Sequence, residues 1–403
     1  MNLTKKRWLV LISSCLINLC IGSLYAWSVF ASALTEKLEV ASLAIVFTIA
    51  NGIGPISMII GGTINDKLGP KIPVLIGGIL FGAGTILSGF VRSTGMLIVT
   101  YGIVSAFGIS LCYTCTVSNT VKFFPDKRGM VGGLTTATYG LSSVIIPLIA
   151  RPMIDSVGVF KTFIILGIVY LVIVVACSFL QRQCPAGFTP EGYVAPVSST
   201  GASKTVDKNW KQMLADPIFY PMILLMVSGA FFGMMIISAA SPIAQNMVGM
   251  SAASAAVAVS VLALFNGAGR VCAGFISDKL GRVNTLMAAL VVAFIGMILL
   301  FVTGEGQVAL FYVGIALVGI AFGSFMSVFP GFNVDQFGAK NNSVNYAIMF
   351  IGFALAGIVA PLITSSIYTN TESYNTAFII GCCLAVFGFI MALVYKAMAK
   401  KRA

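Results

Sequence analysis

Long apolar runs alternate with short polar breaks along nearly the whole chain. The runs fall near 8–34, 43–64, 72–91, 96–121, 129–151, 157–180, 218–245, 252–276, 283–303, 308–333, 343–368 and 374–396. A helix needs about 20 mostly apolar residues to cross the hydrocarbon core of a bilayer, so the pattern predicts twelve transmembrane helices. The first run follows Lys5, Lys6 and Arg7, the charge pattern that also precedes a secretory leader. Its apolar stretch of about 26 residues lacks a small-x-small cleavage site and exceeds the apolar region of a leader. It is read as the first transmembrane helix.

One long polar segment, QRQCPAGFTPEGYVAPVSSTGASKTVDKNWKQMLADP over residues 181–217, divides six runs from six. Its Pro, Gly and Ser content marks a linker, and its end, 207–215, has the composition of a short helix along a membrane surface. The expected organisation is a six-helix bundle over 1–180, a cytoplasmic linker over 181–217 and a second six-helix bundle over 218–403. The halves repeat. GTINDKLGPK (62–71) returns as GFISDKLGRV (274–283), FFPDK (123–127) lies opposite QFGAK (336–340), and Pro147-Leu-Ile matches Pro361-Leu-Ile, all at offsets of 212 to 214. Parallel six-helix halves of an all-α membrane protein imply a transporter with a central cavity between them, open alternately to each side.

Composition and charge sharpen this picture. The chain of 403 residues is 58% hydrophobic and 9% charged, with a mean hydropathy of +1.01, far from a soluble domain. A net charge of +12 would suggest nucleic acid in a soluble protein, but its placement points to a bilayer. With the N-terminus inside, nineteen of the 24 Lys and Arg fall in cytoplasmic segments, and four fall outside: Lys37, Arg92, Arg151 and Lys161. That is the positive-inside rule. It predicts a multi-pass protein of the cell membrane with both termini cytoplasmic, whose partners are lipid and a small solute and not nucleic acid. Nine cysteines lie almost entirely in apolar runs and there is no histidine, so neither a zinc site nor a disulfide framework is implied. Cys112 and Cys115, at redox-motif spacing, are read as small packing residues. No acidic pair or histidine lies inside the membrane, so hydrolytic and redox catalysis lack their usual groups. No metal and no cofactor is expected.

The twenty-fourth basic residue is Arg270, inside the eighth run. None of the twelve acidic residues falls within a predicted span, so Arg270 has no carboxylate at its own depth. It precedes Asp278 by eight residues, which places it roughly 12 Å inside the cytoplasmic boundary at about 1.5 Å per residue. Such a cation costs about 2.5 to 3.5 kcal/mol even on the lenient insertion scale. An arriving anion supplies the missing charge, and the planar guanidinium fork matches the two oxygens of a carboxylate. The alternative is an arginine that clamps backbone carbonyls between helices. Asn266, four residues earlier, shares its face, while Gly267 and Gly269 thin the helix for a neighbour or a ligand.

The paired G-x-x-x-D-K-x-G loops and the six-plus-six arrangement resemble the major facilitator superfamily across essentially the whole chain. Within it, GSLYAWSVF (22–30), KFFPDKRG (122–129), PAGFTPEGY (185–193) and NGAGR (266–270) resemble the oxalate/formate antiporter family, a relative of the monocarboxylate transporters. The resemblance implies that Tyr25 and Tyr113 join Arg270 and Asn266 in the substrate pocket, core packing being the alternative for both tyrosines. Trp27, about 200° around the helix from Tyr25, is left to packing. Asp66 with Lys67 and Asp278 with Lys279 then resemble gate elements that hold the halves together when the cavity opens outward. Proton-coupled relatives carry a carboxylate four residues before the arginine and a lysine in helix 1; here those positions are Asn266 and Val29. The dianion exchanger carries a second basic residue on helix 11, and none exists between Lys340 and Lys396. The expected function is exchange of small monocarboxylates of the formate, lactate and pyruvate class by a monomeric carrier. Proton symport, oxalate/formate exchange and a non-transporting carboxylate sensor are the alternatives.

Overall fold

The computed structural model describes residues 3–40, 43–191 and 207–402. Among the described residues, twelve helices are long and apolar enough to cross a membrane: α1 (Leu3–Lys37), α2 (Ala44–Leu68), α3 (Lys71–Phe90), α4 (Thr94–Lys122), α5 (Arg128–Val157), α6 (Val159–Ser178), α7 (Phe219–Asn246), α8 (Ala252–Leu280), α9 (Arg282–Val302), α10 (Val308–Phe337), α11 (Asn342–Thr371) and α12 (Asn375–Lys400). Each coincides with one apolar run of the sequence, and no strand occurs among the described residues. The all-α membrane architecture expected from the pattern is therefore what the chain adopts.

Local chemistry sets the ends. Ser93 and Ser251 cap α4 and α8 by accepting from Met96 N and Ser254 N, which satisfies donors that no preceding turn can reach. Gly69 and Gly281 close α2 and α8 at φ +82° and +84°, a conformation that costs a side-chain-bearing residue energy. The polar segment 181–217 is described only in part, because residues 192–206 lie outside the described residues. At its end a short helix, Trp210–Leu214, starts on a capping box in which Asn209 and Gln212 satisfy each other's backbone N–H groups.

Three of the long helices change character part-way. In α1, Gly22–Ala26 winds as a 3₁₀ segment, in α4, Ile98–Ser105 as a π segment, and α11 breaks at Phe350. Such departures from the α pattern mark hinges and functional positions more often than chance.

The chain forms two compact units that do not follow sequence order throughout. The first holds everything up to Asp126, the chain from Thr138 through α6, and the segment Ala339–Ile348. The second holds Lys127–Ala137, α7 through Gly338, and everything from Met349 onward. The start of α5 thus belongs with the later helices, and the start of α11 with the earlier ones.

Candidate functional site

In the second unit, Arg270 sits on α8 with only 2% of its surface exposed. Its Nε donates to Asn266 Oδ1 at 3.1 Å and its Nη1 to the backbone oxygen of Thr136 at 2.5 Å. No carboxylate pairs with it among the described residues, and Nη2 carries no hydrogen bond there. The guanidinium is thus held by a neutral amide and one backbone carbonyl, the second of the arrangements open in the sequence, and no carboxylate is paired with it among the described residues. Asn266 is brought to Arg270 as its position one turn earlier implies.

The glycines around it act as spacers. A Cβ on Gly269 would lie 2.4 Å from Ile320 O of α10, and one on Gly323 would lie 2.2 Å from Asn266 O. On the other side, a Cβ on Gly133 would come within 2.5 Å of Arg270 O. The arginine's helix is therefore pressed against α10 and the start of α5 by small-residue packing.

In the first unit, Tyr25 lies in the 3₁₀ segment of α1 and Tyr113 on α4. Both meet a third ring, Tyr139 of α5, with centroid separations of 5.1 Å and 4.9 Å. These are the distances of favourable edge and tilted aromatic pairs. The α1 backbone reaches α5 because Gly22 has no side chain: a Cβ there would stand 2.3 Å from Tyr139 O. Tyr139 was not singled out in the sequence, although it lies eleven residues into α5, much as Tyr113 lies nine residues before the end of α4. Equal depth on neighbouring helices was the available signal. Trp27 is buried and stacks on Tyr101 at 4.8 Å, a packing role as read from its helical angle.

The two repeated loops have a shared construction. Asp66 accepts from Ser343 N at 3.3 Å and Val344 N at 3.0 Å, the first N–H groups of α11, and from Lys122 Nζ at 2.8 Å. Asp278 accepts from Gly129 N and Met130 N at the start of α5, both at 2.8 Å, and from Arg282 Nη1 at 2.7 Å. Each carboxylate therefore meets a positive helix end and a cation. The motif's first glycine gives the helix start room: a Cβ on Gly62 would lie 2.7 Å from Ser343 O, and one on Gly274 would lie 2.4 Å from Gly129 O. The motif's last glycine makes the left-handed turn already described. Lys67 and Lys279 are exposed and enter neither arrangement. The cations that do so are Lys122 and Arg282, and Arg282 continues through Asp335 to Arg128.

The profile of the Major Facilitator Superfamily matches residues 7–310 and, overlapping them, 230–402. The chain belongs to the Major Facilitator Superfamily. This superfamily member is 29% identical to an uncharacterised MFS-type transporter, YhjX, of Escherichia coli (strain K12), over 89% of this chain and 87% of that protein. It is 30% identical to the oxalate:formate antiporter of Oxalobacter formigenes, over 97% of this chain and 92% of that one. Its fold matches that of the transporter FucP in the outward conformation with a TM-score of 0.70, covering 96% of this chain and 98% of that one at 15% identity. The likeness to FucP is one of fold. The chain is a multi-pass membrane transporter of this superfamily, as its repeated loops led the sequence to be read.

Proposed function

We propose that this transporter exchanges small carboxylate anions, with monocarboxylates of the formate, lactate and pyruvate class preferred over oxalate. The observation that carries the reading is Arg270, buried without a carboxylate among the described residues. The 30% identity to an oxalate:formate antiporter supports a carboxylate as cargo. One buried cation balances one negative charge, and α11 has no Lys or Arg, which favours a monoanion. Arg270 and Asn266 of the second unit, with Tyr25, Tyr113 and the additional Tyr139 of the first, are the substrate-binding residues. Asp66 and Asp278 are the gating residues, with Lys122 and Arg282 in the role the sequence gave to Lys67 and Lys279.

Exchange follows from the same residue. Thr136 O and Asn266 Oδ1 supply dipoles and not a charge, so an empty carrier crossing between its states keeps a net buried cation, which a loaded carrier neutralises. A residual differential of about 1.4 to 3 kcal/mol slows the empty crossing by roughly tenfold to a hundredfold, enough for exchange to outrun net flux. The spans hold no histidine and no carboxylate away from their ends, which leaves protons without a protein carrier.

The test is counterflow in proteoliposomes with formate, lactate, pyruvate and oxalate. Labelled monocarboxylate uptake is expected to rise with internal unlabelled substrate, without alkalinisation of the medium. Arg270→Ala is expected to abolish it, and Arg270→Lys to weaken it at least tenfold because the fork is lost. Equal uptake with and without internal anion, or full activity in Arg270→Ala, rejects the proposal.

A further inference from the structure

On the face of the first unit where α1 and α3 end and α6 begins, a cavity of about 300 Å³ is lined by Lys37, Leu38, Glu39, Val91, Arg92 and Phe160. Lys37 is the last residue of α1, Arg92 follows the end of α3 by two positions, and Phe160 is the second residue of α6. The cavity therefore lies at the level where three spans leave the bilayer. The side chains of Lys37, Arg92 and Glu39 make no ion pair or hydrogen bond among the described residues, so two cations and a carboxylate line one space unpaired. Glu36, the remaining acid at this end of α1, does not line it.

The placement of charge is uneven. On the face that the positive-inside pattern assigns to the exterior, basic residues are scarce, yet Lys37 and Arg92 both line this cavity and Lys161 adjoins Phe160. The backbone at Glu39 adds a second, independent observation. Val40 N donates to Thr35 O at 3.2 Å across a residue held at φ +53°, the helix-ending turn in which glycine is the ordinary choice. A glutamate there is strained, and its side chain lines the cavity. Within five residues along the chain of the lining positions Val91, Arg92 and Phe160, Leu87, Phe90 and Ile165 of α3 and α6 are 50%, 61% and 42% exposed.

We propose that this cavity binds the headgroup of a phospholipid bearing phosphoethanolamine. The phosphodiester sits between Lys37 and Arg92, whose guanidinium fork suits phosphate oxygens; the primary ammonium meets Glu39; the acyl chains lie along Leu87, Phe90 and Ile165. A glycerol headgroup has no ammonium for Glu39, which then competes with the phosphodiester for Lys37 and Arg92, and a choline headgroup has no N–H to donate to it.

The test uses the full chain in a phospholipid-free detergent, titrated with short-chain phosphatidylethanolamine, phosphatidylglycerol, phosphatidylcholine and water-soluble phosphoethanolamine. Binding is followed by thermal shift and by native mass spectrometry. Phosphatidylethanolamine is expected to bind most tightly, with the soluble headgroup at least about tenfold weaker because it lacks the apolar contact. The double variant K37Q/R92Q is expected to lose about tenfold in affinity for phosphatidylethanolamine. E39Q is expected to bind it no better than phosphatidylglycerol. E39G is expected to lose the same preference while its lipid-free Tm stays level or rises, because glycine relieves the turn; a merely structural Glu39 gives neither result. Wild-type lipid binding in K37Q/R92Q, an intact preference in E39Q, or equal binding of the soluble headgroup overturns the proposal.

Discussion

Asp278 accepts two backbone N–H groups and one guanidinium, so its removal strands two donors at the start of α5 and takes one acceptor from Arg282 of α9. Asp278→Asn is expected to cost about 1 to 2 kcal/mol, the range for a lost cap with a helix-end charge, measured as a lower Tm in detergent. Lys279→Gln and Lys67→Gln are expected to stay within about 0.5 kcal/mol of wild type, as exposed residues without contacts do. The sequence tied each aspartate to the lysine beside it because the pair repeats in both loops. Adjacent helical residues diverge by about 100°, so the lysines face water while the aspartates face their caps. Lys122 reaches Asp66 only once α4 packs beside α2, a pairing 56 residues apart that no local spacing announces; Arg282 lies four residues after Asp278, a legible spacing that the repeated Asp-Lys pair overshadowed. Arg270 and Asn266 were legible for the opposite reason: a cation in an apolar run stands out, and a side chain one turn away shares its face.

Among the helices, the twelve spans were readable because a bilayer sets their length and apolarity. The interior breaks were not. No proline marks the 3₁₀ segment Gly22–Ala26; it forms where α1 meets the backbone of α5 at Gly22. Gly22→Ala is expected to disturb both helices by about 1 to 3 kcal/mol, the range for an overpacked core position, whereas Gly95→Ala at the start of α4, with open space around it, leaves Tm unchanged. The short helix Trp210–Leu214 carries a pH prediction of its own. Burial raises the Asp216 pKa, but Arg402, Lys208 and the Ile218 N–H outweigh it and lower the pKa from its ordinary 3.8 to about 2. A depressed carboxylate stabilises above its unfolded pKa and loses that contribution as pH falls through its folded pKa. Hydrogen-exchange protection of residues 210–214 is therefore expected to drop between about pH 4 and 2. Asp216→Asn should show the unprotected level throughout, without the step.

For the molecule as a whole, each compact unit includes the start of a helix that belongs by sequence to the other half. Asp66 holds the beginning of α11 in the first unit, and Asp278 the beginning of α5 in the second. A protease site introduced within residues 192–206 is expected to cut the chain without separating the fragments, which should co-elute in detergent. Dissociation on cleavage would count against this. The seam around Arg270 also bears on how such a carrier diversifies. Alanine is the smallest step away from glycine, and at Gly133, Gly269 and Gly323 its methyl would lie within 2.5 Å of a neighbouring backbone oxygen. The arginine's wall is thus closed to gradual mutation. Tyr25, a partly exposed side chain, has more latitude, so a lineage that takes up a new cargo is expected to change its tyrosines first and keep its arginine.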